Sequence, residues 1–96
     1  MLALRPNCEI CDKDLPPGAA DARICTFECT FCADCAEHQL HGMCPNCGGN
    51  LVPRPIRPGS KLARNPPAKE RFLKPFDATA HAERLARLGG LPPAQR

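Results

Sequence analysis

Apolar residues in this chain come in bursts too short to build a large core. Leu2–Leu4 opens the chain and Leu51-Val52 closes its first half, each with the length of a brief edge strand. Between them Arg23-Ile24-Cys25-Thr26-Phe27 has strand character and follows the turn signal Pro16-Pro17-Gly18, which predicts a hairpin with residues near Thr30-Phe31. From Ala33 to Leu40 the composition turns helical. Asp34 and Glu37 stand early, where a helix N-terminus favours negative charge, and Gly42 is placed to end the segment. The expected helix is about two turns long.

The second half follows another pattern. Pro53-Arg54-Pro55-Ile56-Arg57-Pro58-Gly59 opens a stretch in which proline removes donors and blocks helix while arginine keeps the chain solvated. Disorder or extended structure is expected to about Pro75. Asp77 then caps a segment from Ala78 to Leu88, with Ala78, Ala82, Leu85 and Leu88 on one face, Arg84 and Arg87 beside it and Gly89-Gly90 as terminator. This weak amphipathic helix is either solvated or docked, on the first half or on a partner. The chain divides into a module over 1–52, a Pro/Arg-rich linker over 53–76, a short helix over 77–89 and a disordered end over 90–96.

Composition sharpens this division. A chain of 96 residues with four aromatics, all Phe, cannot rest on an apolar core alone and calls for a covalent or metal staple. Eight cysteines fill that need, and all lie between Cys8 and Cys47. Residues 1–52 hold three Lys/Arg against seven Asp/Glu, a net of −4, whereas 53–96 hold ten against three, a net of +7. The positive tail is thus suited to fold back over the negative head, an attraction that salt weakens. Met1–Pro6 is too short and too soon broken by Arg5 and Pro6 to read as a signal peptide, and no apolar run reaches membrane-spanning length. A soluble, cytoplasmic protein is expected, where paired cysteines point to metal before disulfides.

The cysteines run Cys8-x2-Cys11-x13-Cys25-x3-Cys29-x2-Cys32-x2-Cys35-x8-Cys44-x2-Cys47. Two intervening residues let both sulfurs of a pair reach one ion, and four sulfurs close a tetrahedral site, so eight supply two zinc ions. In the last pair, Cys44-Pro45-Asn46-Cys47-Gly48-Gly49, Pro45 stiffens the turn and Gly48 permits positive φ just after it. A closed four-sulfur site leaves no position for water or substrate, so the metal is expected to be structural and not a Lewis acid. Structural zinc contributes roughly 10–16 kcal/mol, as much as the whole stability of a small domain, so the metal-free module should be unfolded.

This order of ligands resembles the RING-finger cross-brace in an all-cysteine version, over about residues 8 to 47, with the Pro after the seventh ligand in place. The resemblance implies a small metal-stabilised α+β fold of RING-like or treble-clef type, with a short hairpin, one short helix and a mostly disordered basic tail. It also implies that Cys8, Cys11, Cys32 and Cys35 bind one ion and Cys25, Cys29, Cys44 and Cys47 the other, although spacing alone leaves a sequential pairing open. In RING ubiquitin ligases the conjugating enzyme meets an apolar residue of the first knuckle, often a Trp in the helix region, the Pro of the last knuckle and a basic residue beyond the last ligand. Ile10, Leu15 and Pro45 match, Trp is missing, and Gly48 stands where the basic residue would be. The stretches Met1-Leu2-Ala3-Leu4-Arg5-Pro6-Asn7-Cys8-Glu9-Ile10-Cys11, Asp14-Leu15-Pro16-Pro17, Ala22-Arg23-Ile24-Cys25, Phe27-Glu28-Cys29-Thr30-Phe31-Cys32-Ala33-Asp34-Cys35 and Cys44-Pro45-Asn46-Cys47-Gly48-Gly49 resemble a family of short bacterial cysteine-rich proteins catalogued as domain of unknown function 1272. That resemblance covers roughly residues 1–55; it implies a metal-binding fold and a bacterial origin and leaves the activity open.

Other readings are narrower. His38 and His41 lie near the last knuckle, but eight sulfurs already complete two sites, which leaves both histidines on the helix surface. Cys29-x2-Cys32-x2-Cys35 approaches an iron–sulfur motif, yet the fourth cysteine falls too far along. Ser60, the one serine, sits in the linker and no cysteine is free of metal duty, so no nucleophilic or hydrolytic constellation is present and the chain is not expected to be an enzyme. A non-catalytic adaptor that binds another protein is the expectation. Its alternatives are a zinc finger that uses the basic tail on nucleic acid, a ligase-like RING, and a redox-responsive zinc switch.

Overall fold

The computed structural model describes residues 1–96. Its centre is a small sheet of three strands, β1 (Ala22–Ile24), β2 (Thr30–Cys32) and β3 (Val52–Pro53), in the order β2-β1-β3 and antiparallel throughout. The β1–β2 hairpin pairs Ala22 with Cys32, Arg23 with Phe31 and Ile24 with Thr30. Along β1 the period-two alternation is visible, with Ala22 and Ile24 buried and Arg23 between them partly exposed. β2 is buried at all three positions because its outer edge is also covered. Glu9 closes that edge: its backbone N–H donates to the Thr30 carbonyl at 3.0 Å, and its Oε2 accepts from the Thr30 N–H.

After β2 the chain turns into Ala33-Asp34 and then a π-helical segment, Cys35–Gln39, closed by Leu40 N–H on the Cys35 carbonyl at 2.9 Å. The wider winding ends at His41 and Gly42, both at positive φ, with Gly42 N–H on the Ala36 carbonyl. The segment buries Cys35 and Ala36 against a core that also holds Leu15, Phe31 and Leu40. Six of the eleven residues in that core cluster are cysteines, so the metal-ligand candidates and the hydrophobic core are one structure. β3 then returns to the far side of β1, pairing Val52 with Ile24, and ties the end of the head to its hairpin. Leu2–Leu4 forms no strand: Leu4 is buried at φ 55° and turns the chain inward.

From Arg54 to Phe76 the tail runs mostly without helix or strand along the head, where its arginines find backbone carbonyls. Arg54 is buried and donates to the carbonyls of Arg5, Leu15 and Pro16 at 2.9, 3.1 and 3.0 Å. Arg57 bridges Leu2 and Asn65 carbonyls, around a short helix α1 (Gly59–Leu62) that the sequence did not foretell. Asn7 acts as a strand mimic, its amide donating to the Phe72 carbonyl at 2.7 Å and accepting from the Phe72 N–H at 3.1 Å. Arg71 pairs with Asp12 at 3.0 Å and Asp14 at 2.7 Å, a direct contact between the positive tail and the negative head.

Helix α2 (Ala78–Leu88) starts at Asp77, whose Oδ1 accepts from Ala80 N–H at 3.0 Å. Its inward face is rotated from the apolar stripe expected in the sequence. Ala78 and Ala82 are exposed, and His81 is buried, with its ring against Phe76 and its Nε2 on the Leu40 carbonyl at 2.9 Å. A carbonyl only accepts, so Nε2 carries the proton and Nδ1 accepts from Arg84 Nη1 at 3.2 Å. The residues after α2 form a 3₁₀ turn, Pro93–Gln95, and Arg96 reaches the Gly48 carbonyl at 3.0 Å. No helix is long and apolar enough to cross a membrane.

Candidate metal centres

Two loops of the head have the same local build. In the first, Cys8 N–H donates to Lys13 O, Asp12 N–H to Cys8 O and Leu15 N–H to Pro6 O, at 2.8, 3.0 and 2.8 Å. In the second, Cys44 N–H donates to Gly49 O, Gly48 N–H to Cys44 O and Leu51 N–H to Gly42 O, at 2.8, 2.9 and 3.1 Å. Each is closed by one β-bridge, Asn7 with Asp14 and Met43 with Asn50. Each needs one residue at positive φ after its second cysteine, Asp12 at 63° and Gly48 at 77°. Asp tolerates that region because its short polar side chain bonds locally; here Asp12 Oδ1 accepts from Asn7 Nδ2 at 3.0 Å.

The turns aim backbone N–H groups at sulfur. Asn46 N–H lies 3.4 Å from Cys44 Sγ, Gly49 N–H 3.4 Å from Cys47 Sγ, Phe27 N–H 3.4 Å from Cys25 Sγ, and Cys35 N–H 3.5 Å from Cys32 Sγ. Donors so placed stabilise negative sulfur, the form that binds metal.

The sulfurs gather in two groups. Those of Cys8, Cys11, Cys32 and Cys35 all lie within 4.8 Å of one another, as do those of Cys25, Cys44 and Cys47. The first cysteine pair therefore meets the third, and Cys25 of the second meets the fourth, which removes the sequential alternative. A tetrahedral ion with metal–sulfur bonds near 2.3 Å needs sulfurs about 3.8 Å apart. Cys11 and Cys32 are 3.7 Å apart, so the residues of the first group fit such an ion. Cys29 is not within 4.8 Å of all members of the second group; its Sγ accepts from Asn46 Nδ2 at 3.4 Å. His38 and His41 join neither group: both are exposed, and His38 lies 3.8 Å from Asp34 Oδ1.

The model of the family described as "Protein of unknown function (DUF1272)" matches residues 1–57. The chain belongs to this family. An uncharacterized protein of Rhizobium meliloti (strain 1021) is 67% identical over 75 residues, which cover 78% of this chain and 89% of that relative. No solved structure matches the chain significantly. The stretch shared with the relative is longer than residues 1–57, so the similarity runs on into the arginine-rich tail that packs against the head.

Electrostatics of the bare thiols in this DUF1272 chain show why a cation suits the two groups. Burial pushes the Cys8 thiol up, but N–H groups of Cys11, Cys32 and Ile10 outweigh it and leave Cys8 below the ordinary thiol value. Cys35 is pushed far up, first by burial and then by its neighbours Cys32 and Cys8. Cys44 rises likewise by burial, only partly offset by N–H donors, with Cys29 and Cys25 adding to the rise. Four sulfurs this close cannot all be ionised without a positive charge among them, and a divalent ion bound by them supplies it.

Several residues that shape these centres carry no signal readable in the sequence. Arg5 is held between Glu9, at 2.9 Å, and the face of Phe72, whose centroid is 4.3 Å from the guanidinium carbon. Burial lowers the Arg5 pKa, and Glu9 and then Cys29 raise it above its ordinary value, so Arg5 brings positive charge to the second group. Asn46 sits in the motif Cys44-Pro45-Asn46-Cys47, but its reach to Cys29 depends on the fold.

Proposed function

We propose that this DUF1272 chain is a two-zinc, non-catalytic interaction module of RING-like, treble-clef type that presents a small surface to another protein in a reducing compartment such as the cytoplasm. The observation that carries the reading is the interleaving of the cysteine groups, Cys8/Cys11 with Cys32/Cys35 and Cys25 with Cys44/Cys47, around one short hairpin and one helical turn. Zinc fits an all-sulfur donor set of this size, and Cys29 is the natural fourth ligand of the second ion because it is buried beside Cys25 and Cys44 in the same core. Sulfur-saturated zinc keeps no position for substrate, which supports a scaffold and not a catalyst.

The surface offered to a partner lies at the β1–β2 loop and the chain start. Phe27, at the tip of the β1–β2 loop, is 70% exposed, and Met1 beside it is 92% exposed. Exposed large apolar side chains on so small a head are what a protein-binding surface needs. A nucleic-acid role draws less support. Arg54, Arg57 and Arg71 are engaged with head carbonyls and carboxylates, which leaves Lys61, Arg64, Lys69, Lys74 and Arg87 as the more dispersed free charge.

Metal stoichiometry of the anaerobically purified chain, by elemental analysis with native mass spectrometry, tests the reading. Two zinc ions per chain, with loss of fold on chelation, are expected; iron with sulfide, or no metal and four disulfides, would overturn it.

A further inference from the structure

We propose that the second centre holds its metal by three firm sulfurs, Cys25, Cys44 and Cys47, and one displaceable sulfur, Cys29, whose position accepts a soft anionic ligand from outside, a low-molecular-weight thiolate. The inference rests on the reading of the cysteine groups as zinc centres and divides them into one closed and one exchangeable.

Three observations lead to it. In the first centre all four sulfurs stand within 4.8 Å of one another, whereas in the second only three do. The first would therefore form with little rearrangement, while the second would have to draw Cys29 inward. Cys29 also has donors of its own at the edge of the trio, Asn46 Nδ2 of the Cys44–Cys47 loop at 3.4 Å and positive charge from Arg5 nearby. An amide donor and a guanidinium stabilise a thiolate that has left the metal, which lowers the cost of leaving. In the first centre Gln39 Nε2 lies 3.9 Å from Cys35 Sγ, but that sulfur stays within its group.

The tether differs as well. Each group has one exposed cysteine, Cys11 in the first and Cys47 in the second, so solvent reaches both and the tether sets them apart. Cys29 hangs on the wider x3 loop, where Glu28 takes φ 65° and Phe27 stands out in solvent, in place of the tight x2 turn that holds each of the other pairs. Exchange is a simple substitution: the zinc–Cys29 bond breaks with its electron pair left on sulfur, a zinc–sulfur bond to the incoming thiolate forms, and the thiol proton passes to buffer. No oxidant or reductant is involved.

The test uses the full chain loaded with two equivalents of Zn²⁺ or Co²⁺, a chelator, and 2-mercaptoethanol as the thiol. Zinc release to the chelator should be biphasic, with one equivalent leaving about tenfold faster or more. Asn46→Ala should slow the fast phase, because the displaced Cys29 thiolate loses the amide donor that stabilises it. Cys29→Ala should keep two metals by native mass spectrometry, and 2-mercaptoethanol should restore the thiolate-to-Co²⁺ charge-transfer intensity that this variant lacks. Release of both equivalents in one phase, or a Cys29→Ala chain that holds one metal and does not respond to thiol, would overturn the inference while leaving the two-zinc reading intact. Absence of metal from the wild-type chain would remove both.

Discussion

The loops at residues 6–15 and 42–51 make the same three backbone bonds, with partners 36 residues apart as Cys44 is from Cys8, yet they are completed differently. The first meets a ready-made pair, Cys32 and Cys35, held by β2 and the π-helical segment, and the tail roofs it through Asn7–Phe72 and Arg71. The second meets Cys25 but not fully Cys29, and the tail touches its loop at the Gly48 carbonyl through Arg96. Local geometry can thus be repeated while closure of the site is decided by what the rest of the chain brings to it.

The largest effects should come from breaking the better-closed centre. Cys32→Ser is expected to leave a chain without stable tertiary structure, because losing one structural ion removes on the order of 10 kcal/mol from a domain whose total stability is no larger. Loss of dispersion in the amide NMR spectrum would register this, and Cys29→Ser should leave most of that dispersion in place. Next in size is Arg54→Met, which takes the guanidinium from the buried Leu15 carbonyl and the part-buried Arg5 carbonyl, while Pro16 O keeps Ala19 N–H, and should cost about 2–4 kcal/mol in chelator-free denaturant unfolding.

Acid sharpens the comparison in another way. The metal-free thiols of Cys35 and Cys44 are raised, so both carry protons near neutrality that metal must displace. Affinity therefore falls as pH falls, at both centres, and the zinc content of dialysed protein should drop from two to one before reaching zero, with the second centre emptied first.

Much of the cysteine grouping was legible in the sequence because ligand chemistry demands particular residue types at short fixed spacings. The hairpin followed from Ile24 and Phe31 in the same way, and the end of the last knuckle from Gly48. In the tail, helix α2 with its Asp77 cap and the pull toward the negative head were legible, but the docking points were not. Its docking uses backbone carbonyls of Arg5, Leu15, Pro16 and Leu40, and every residue has a carbonyl, so nothing in Arg54 or His81 announces its partner. The π-helical winding after Cys35 likewise has no mark in the local composition, which reads as ordinary helix.

Smaller effects separate the loops residue by residue. Gly48→Ala meets open space, so its cost is the left-handed backbone alone, about 1–2 kcal/mol by thermal unfolding of the metal-loaded chain. The exposed Lys13–Asp21 pair holds the Asp21 carboxyl below the usual carboxylate range, first through the hydrogen bond from Lys13. A depressed carboxylate adds stability above its unfolded value and loses it as pH drops through the folded one. In Lys13→Ala the Asp21 titration followed by carbon NMR should return toward the ordinary value, with little change in the unfolding midpoint.

The central claim is the interleaving, and ¹H–¹¹³Cd correlation NMR of the cadmium-substituted chain tests it most directly. The expected spectrum links the β-protons of Cys8, Cys11, Cys32 and Cys35 to one cadmium and those of Cys25, Cys44 and Cys47 to another. Correlations joining Cys8 and Cys11 to the same cadmium as Cys25 and Cys29 would contradict the account.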